Sequence, residues 1–372
     1  FINFALLEMD WNNYDYTYLR PSREAFDIVH APDYIHQGHG VKAIRRIYYV
    51  NHTPEEVEKL KQFNEVLKAE NITFPHWWND TETLKLMLGY KWTPKNTTKV
   101  LHMVREHLKF VNNPIWHTIS PESARFLEEG MIYVLGKDKE WRPNIYLAIY
   151  KLDLNKINVD QLQRALCFLL DTTKRNSFVP GYVENWNLIF ETRGVGLLAF
   201  PFKILKKLID VAQDHYISTT NKIYILDPSF MLNASWNIIS GMLDANTVKK
   251  ISFIKKKDYP KLKEFISPNM LEQRYGGDLP NIESGYWPPK NVFTHKPFTW
   301  PWETAPFQPP NDRDGPLPAG ANPPKESDYK QVKATTEKEI ESGQGRNETV
   351  KGNFEEEKKQ NNLPNEVRAT EQ

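Results

Sequence analysis

Between residues 145 and 254 the chain alternates short β-rich runs with amphipathic helices, and this alternation restricts its fold more than any other feature of its 372 residues. The runs are Ile145 to Tyr150, Leu188 to Phe190, Lys222 to Leu226 and Ile251 to Ile254, each short and rich in branched or aromatic side chains. Between them, Val159 to Thr172, Leu197 to Tyr216 and Leu232 to Leu243 carry apolar residues at helical spacing. A strand that returns parallel to its predecessor needs a crossover, usually a helix. The expected fold class is therefore α/β, with a mostly parallel sheet, helices and an apolar gate helix, placed at residues 118–285.

A small all-α bundle precedes this domain at residues 51–117. Thr53-Pro54-Glu55-Glu56 is a helix start: Thr53 caps, Pro54 sits where its missing N–H costs nothing, and Glu56 closes a capping box. Asp80 opens a second helix. Pro94 opens a third, in which Val100, Leu101, Val104, Leu108 and Val111 recur on one face. Residues 1–50 form an aromatic N-terminal arm, with Trp11, Tyr14, Tyr16 and Tyr18, that wraps a surface instead of folding alone. Residues 286–310 are a Pro/Trp-rich extended segment. Residues 311–372 are a polar low-complexity tail that lacks the apolar area to offset its ordering entropy. A protein partner is expected for the arm and the tail.

The 48 Lys and Arg nearly balance the 47 Asp and Glu, so no global field draws the chain to nucleic acid, and none is expected as a partner. The one cysteine, Cys167, excludes an internal disulfide and any cysteine-rich metal site. Within Leu166-Cys167-Phe168-Leu169-Leu170 it is read as a core residue, not a nucleophile. The longest apolar stretch, Val195 to Ala212, is broken by Pro201 and three lysines and is too polar to span a membrane. The first residue is Phe1, which fits an incomplete start, an arbitrary boundary or a removed targeting peptide, a mitochondrial presequence among them, and the expected compartment is intracellular, cytoplasmic or mitochondrial.

No phosphate-cradling loop, nucleophile elbow or zinc-protease helix is present, and Gly194-Val195-Gly196 lacks the third glycine of a dinucleotide fingerprint. His30, His36 and His39 share a loop without an acidic or cysteine pair at ligand spacing, and are read as exposed. The chain is read as a non-enzyme with no metal and no cofactor. Lys255, Lys256 and Lys257 form a basic run after the last strand, which suits a solvated face and peripheral contact with an anionic membrane equally. In the last helix, Leu232, Trp236, Ile239 and Leu243 make one stripe, widened by Ile238 and Met242 beyond what one core face needs. Most helices of this kind are core, and one this apolar beside an open sheet also suits the lid of an apolar cavity.

Several segments, in order, resemble the CRAL-TRIO family, which includes phosphatidylinositol, tocopherol and retinal transfer proteins. They are Val183-Glu184-Asn185-Trp186-Asn187-Leu188-Ile189-Phe190-Glu191-Thr192-Arg193-Gly194, His215-Tyr216, Lys222-Ile223-Tyr224-Ile225-Leu226-Asp227-Pro228, Leu243-Asp244-Ala245-Asn246-Thr247-Val248-Lys249-Lys250-Ile251, and Leu271-Glu272-Gln273-Arg274-Tyr275-Gly276-Gly277. Leu84-Lys85-Leu86-Met87-Leu88 with Lys91-Trp92 looks like the family's N-terminal helical module, so the resemblance covers about residues 53 to 282. It implies a sheet flooring a lipid pocket, closed by a gate helix of Leu232, Trp236, Ile239, Met242 and Leu243. Lys250 matches the lysine that contacts an inositol phosphate. The acidic partner of that lysine is Ser218 here, and the helical module's arginine falls at Leu88 or Gly89. Trp186 and Leu188 stand where small hydroxyl residues would hold a choline lipid's phosphate.

The resemblance thus implies a bound hydrophobic lipid less polar than phosphatidylinositol, with Lys250, Trp186, Leu188 and Ser218 at the ligand, in a lipid carrier or lipid sensor. The alternative is a non-enzymatic scaffold or accessory subunit of a larger assembly, a mitochondrial one among the candidates, whose CRAL-TRIO-like pocket is degenerate.

Overall fold

The computed structural model describes residues 11–28, 34–36, 42–45, 47–48, 52–75, 78–152, 157–194, 202–228 and 236–288. Leu232, His30, His39, the side chain of His36 and most of the Pro/Trp-rich segment and tail lie outside them.

Strands β1 (Tyr34–His36) and β2 (Lys42–Arg45) form a small antiparallel pair. Helices α1 (Pro54–Ala69), α2 (Asp80–Gly89) and α3 (Thr97–Asn112) follow. The Thr53–Glu56 capping box opens α1, and Asn79 caps α2. The three helices share a core in which Phe63, Leu67, Leu84, Met87, Val100 and Val104 are buried. Pro94 opens a short 3-10 turn, Pro94–Asn96, and the α-helix starts only at Thr97.

Helix α4 (Pro121–Glu128) leads into a five-stranded sheet in chain order: β3 (Ile132–Lys137), β4 (Pro143–Ala148), β5 (Trp186–Glu191), β6 (Thr220–Leu226) and β7 (Ile251–Ile254). The β3–β4 pair is antiparallel, and the other pairs are parallel. Helix α5 (Val159–Ser177) crosses from β4 to β5, α6 (Phe202–His215) from β5 to β6, and α7 (Trp236–Gly241) with α8 (Ala245–Val248) from β6 to β7. Strands added one after another through crossovers of one hand place their helices on one face of the sheet.

The strands alternate accordingly. Ile145, Leu147, Trp186, Leu188, Phe190, Ile223 and Ile225 pack toward α5, α6 and α7. Tyr133, Leu135, Tyr146, Ile189, Tyr224 and Leu226 point the other way, under turns that bring Tyr259, Leu262, Ile266, Met270, Leu271 and Tyr275 against them. Across the sheet runs a chain of buried amides. Asn221 Nδ2 donates to Asn187 Oδ1 at 2.9 Å, and Asn187 Nδ2 donates to Asn144 Oδ1 and Asp138 Oδ2, both at 3.0 Å.

Over residues 11–28 the surface that the arm wraps is the chain's own. Tyr16 and Leu19 join the core around α5, Tyr16 lies 5.3 Å from the Trp287 ring, and Phe26 packs on Tyr182. Ser177 Oγ and the buried Lys137 Nζ both donate to the Leu19 carbonyl.

Candidate functional site

Most apolar residues at the centre of a sheet are sealed. In β5, Ile189 is 1% exposed, while its neighbours Leu188 and Phe190 are only partly covered although they face the helices. They border a half-open cavity of about 470 Å³ between the sheet and helices α6 and α7. The floor is Trp186, Leu188 and Phe190 of β5 with Ile223 and Ile225 of β6, and the walls include Leu205, Leu208 and Ile209 of α6 and Trp236 and Ile239 of α7.

Seven of the expected site residues, Lys250, Trp186, Leu188, Ser218, Trp236, Ile239 and Leu243, line this one cavity. Met242 does not belong to the wall. The helix ends at Gly241, and Met242 and Leu243 close a turn through bonds to the Ile239 and Ser240 carbonyls, so the chain leaves the helical path before the stripe is complete. Ile238 faces away and is 59% exposed. The floor and α6 residues were missed. Their signal was present as alternate apolar positions in Leu188–Phe190 and Ile223–Ile225, which gives a face but not whether that face is filled.

The polar lining gathers at the N-terminal edge of the parallel strands. Ser218, with left-handed backbone (φ 58°), and Thr220 precede or open β6, and Lys250 immediately precedes β7. The Lys250 backbone is fixed on both sides: its N–H bonds to the Thr247 carbonyl, and its carbonyl accepts the Ile223 N–H. Its ammonium donates to the Thr220 carbonyl at 2.7 Å. Burial pushes it down to about 8, so it stays largely protonated at neutral pH. Asp244 pairs with Lys91 and caps α8 by accepting from the Asn246 N–H.

Packing constrains both Trp186 and Gly89, the second being one of the two positions expected in place of an arginine. Trp186 is 1% exposed, packs against Phe178 and Tyr216, and donates its indole N–H to Thr220 Oγ1 at 3.3 Å. At Gly89 a Cβ would stand 2.2 Å from Ile217 Cγ2, so an arginine there would have to displace Ile217.

The helical layer reaches the cavity through α6. Tyr90 donates to the Asp214 carbonyl at 2.7 Å, and His107 Nδ1 lies 3.3 Å from His215 Nδ1. The His215 ring stacks on Phe110 with centroids 4.0 Å apart. Cys167 is buried in the α5 core, where burial pushes its thiol up, away from the reactive thiolate. Among the described residues no group of three or more His, Cys, Asp or Glu is placed to hold a metal. No helix among them is long and apolar enough to cross a membrane.

Comparison with known proteins agrees with this architecture. The profile of the CRAL/TRIO domain matches residues 127–277. The chain is 26% identical over 155 residues to the phosphatidylinositol/phosphatidylcholine transfer protein SFH7 of Arabidopsis thaliana, covering 38% of this chain and 28% of that protein. It is 22% identical over 253 residues to SFH4 of the same plant, covering 63% and 41%. With the Sec14 cytosolic factor of Schizosaccharomyces pombe it shares 27% over 100 residues, covering 26% and 35%. The chain thus spans less than half the length of these relatives. The crystal structure of Sfh5 overlays with a TM-score of 0.41 at 14% identity, covering 58% of this chain and 85% of that one. Over residues 127–277, which hold the sheet and the floor of the cavity, the chain is thus similar to the CRAL/TRIO domain.

Proposed function

We propose that the chain binds a hydrophobic lipid in the cavity between the sheet and α6–α7 and acts as a lipid carrier or sensor, not as an enzyme. The observation that carries this reading is the partly exposed pair Leu188 and Phe190 on either side of the sealed Ile189: in mid-sheet, such residues face a ligand or an empty space. The names of the relatives, phosphatidylinositol/phosphatidylcholine transfer proteins, support the class of ligand. On this reading residues 118–285 hold the lipid and residues 51–117 steady α6. Helix α7 is the gate. Ile238 on its outer face and Phe253, 4.9 Å from the Trp236 ring, form a partly exposed apolar patch beside the exposed Lys255, Lys256 and Lys257, suited to an anionic membrane surface. The scaffold alternative needs an arm free to grip another chain, whereas Tyr16 and Phe26 are buried against this one.

Delipidated protein mixed with liposomes of phospholipid, sterol, fatty acid and isoprenoid, then examined by native mass spectrometry, is expected to retain one lipid per chain. Protein that emerges empty from every mixture overturns the reading.

A further inference from the structure

Strand β7 ends the sheet: among the described residues it pairs with β6 alone. The Lys250 and Ile254 carbonyls turn inward, where they accept the Ile223 and Asp227 N–H groups. Alternation therefore turns the N–H and carbonyl groups of Ile251 and Phe253 outward, and among the described residues nothing bonds to them. Such an edge is a template for a further extended strand. The Phe253 side chain is 37% exposed, and exposed lysines bracket the strand, Lys249 before it and Lys255, Lys256 and Lys257 after it. This edge lies outside the cavity, and what it binds does not depend on what the cavity holds.

Charge decides what can pair there. A second copy of the same edge would set lysines against lysines, which is one way edge strands avoid each other. An acidic strand is attracted instead. Lys255-Lys256-Lys257 is the only run of three consecutive basic residues in the chain, and Glu355-Glu356-Glu357 the only run of three consecutive acidic ones. The two runs have matching approaches: Phe253-Ile254 precedes the lysines, and Phe354 precedes the glutamates. Laid parallel to β7, residues 350–357 set Phe354 near Phe253 and the glutamates near the lysines, with Val350 on the same face as Phe354. The chain is long enough for this. Roughly 65 residues separate Pro288 from Phe354, and a coil of that length spans about 45 Å. A folded unit of about 280 residues has a radius of gyration of about 19 Å, so the coil reaches across it. Tethering holds the segment at about millimolar effective concentration, so even weak pairing is populated.

We propose that residues 350–357 of this chain add as a further parallel strand on the outer edge of β7, with Glu355, Glu356 and Glu357 on Lys255, Lys256 and Lys257. The docked segment occupies the lysines that an anionic membrane would use, and so keeps that patch covered until such a surface competes for it.

The test is hydrogen exchange of the full chain at low salt, read at single residues by mass spectrometry with electron-transfer fragmentation. The Ile251 and Phe253 amides are expected to exchange about tenfold more slowly than in the E355K/E356K/E357K variant, as an edge occupied about nine-tenths of the time would. The Ser252 and Ile254 amides, which face β6, should exchange alike in both and report that β7 is intact. Adding K255E/K256E/K257E to that variant swaps the two charges and is expected to restore the protection of Ile251 and Phe253. Equal exchange of those two amides in the native chain and the E355K/E356K/E357K variant overturns the proposal. Protection that the swap fails to restore, with Ser252 and Ile254 unchanged, overturns it as well. Protection that is lost when the native chain is diluted assigns the edge to a second copy instead.

Discussion

The two faces of the central sheet are built from alternating residues of the same strands, yet they are packed to different ends. Behind the sheet, Tyr133 and Tyr146 stack with centroids 4.8 Å apart, Tyr133 donates to Glu191 at 2.8 Å, and the turns from Tyr259 to Tyr286 seal them. In front, Leu188, Phe190, Ile223 and Ile225 border open space. Filling one face and leaving the other short of partners lets a single sheet be both a rigid anchor and the floor of a cavity.

Truncating neighbouring residues of β5 should separate the two faces most strongly. Ile189→Ala on the sealed face is expected to cost about 2–5 kcal/mol, as buried aliphatic deletions do. Leu188→Ala, which enlarges a space that is already open, should cost less than about 1.5 kcal/mol. Urea melts of the lipid-free protein measure both, and equal losses would mean that the front face is as tightly packed as the back. Next in size is filling the front: Leu188→Trp should lower lipid uptake about tenfold, or about 1.4 kcal/mol, while the urea midpoint of the empty protein changes little. If uptake persists, the ligand lies elsewhere.

A further test of the two faces uses acid. Burial, reinforced by His215 and Lys174, pushes His107 down to about 3, and burial, opposed by Glu106 and aided by His117, pushes His215 down to about 4. Between those values and about 6.5 the unfolded chain binds protons that the folded one refuses. Stability therefore falls as pH drops through that window, by at most about 1.4 kcal/mol per pH unit for each histidine. His117 runs the other way. Burial opposes its charge, but Asp171 outweighs burial and raises it, so its contribution is full below the unfolded pKa and is lost as pH rises through the folded one. Because His107 and His215 join α3 to α6, hydrogen exchange at pH 5 should quicken in α6 before β4. Simultaneous opening of both would show that acid does not distinguish front from back.

Much of the front layer was legible because crossover helices and parallel strands leave two clean periodicities. The Thr53 cap and three of the four expected strands stand where those patterns put them, while β4 ends at Ala148 with Ile149 and Tyr150 in a 3-10 turn, and α5 runs on past Thr172 to Ser177. Strand β3 was missed. Ile132 to Leu135 is a good apolar run, but it joins β4 through a tight hairpin at Asp138–Trp141, without the helix that marked the other strands. The back layer was illegible for a different reason. Segments such as Lys256–Glu264, a 3-10 stretch with Pro260 inside it, bury Tyr259 and Leu262 at no period a pattern can detect. The cavity residues could be assigned to a face, whereas the emptiness in front of them depends on side chains from α6 and α7 that meet only in the folded chain.

The amides of Asn144, Asn187 and Asn221 bear on how this protein could change over evolutionary time. A one-residue slip of β5 would turn Asn187 away from both neighbours and leave buried amides without acceptors, at about 1–3 kcal/mol for each group. Strand alignment is thus guarded by residues that touch no ligand. Leu188, Phe190, Ile223 and Ile225 are correspondingly free of that duty, and a lineage can exchange them, and with them its cargo, without losing the frame.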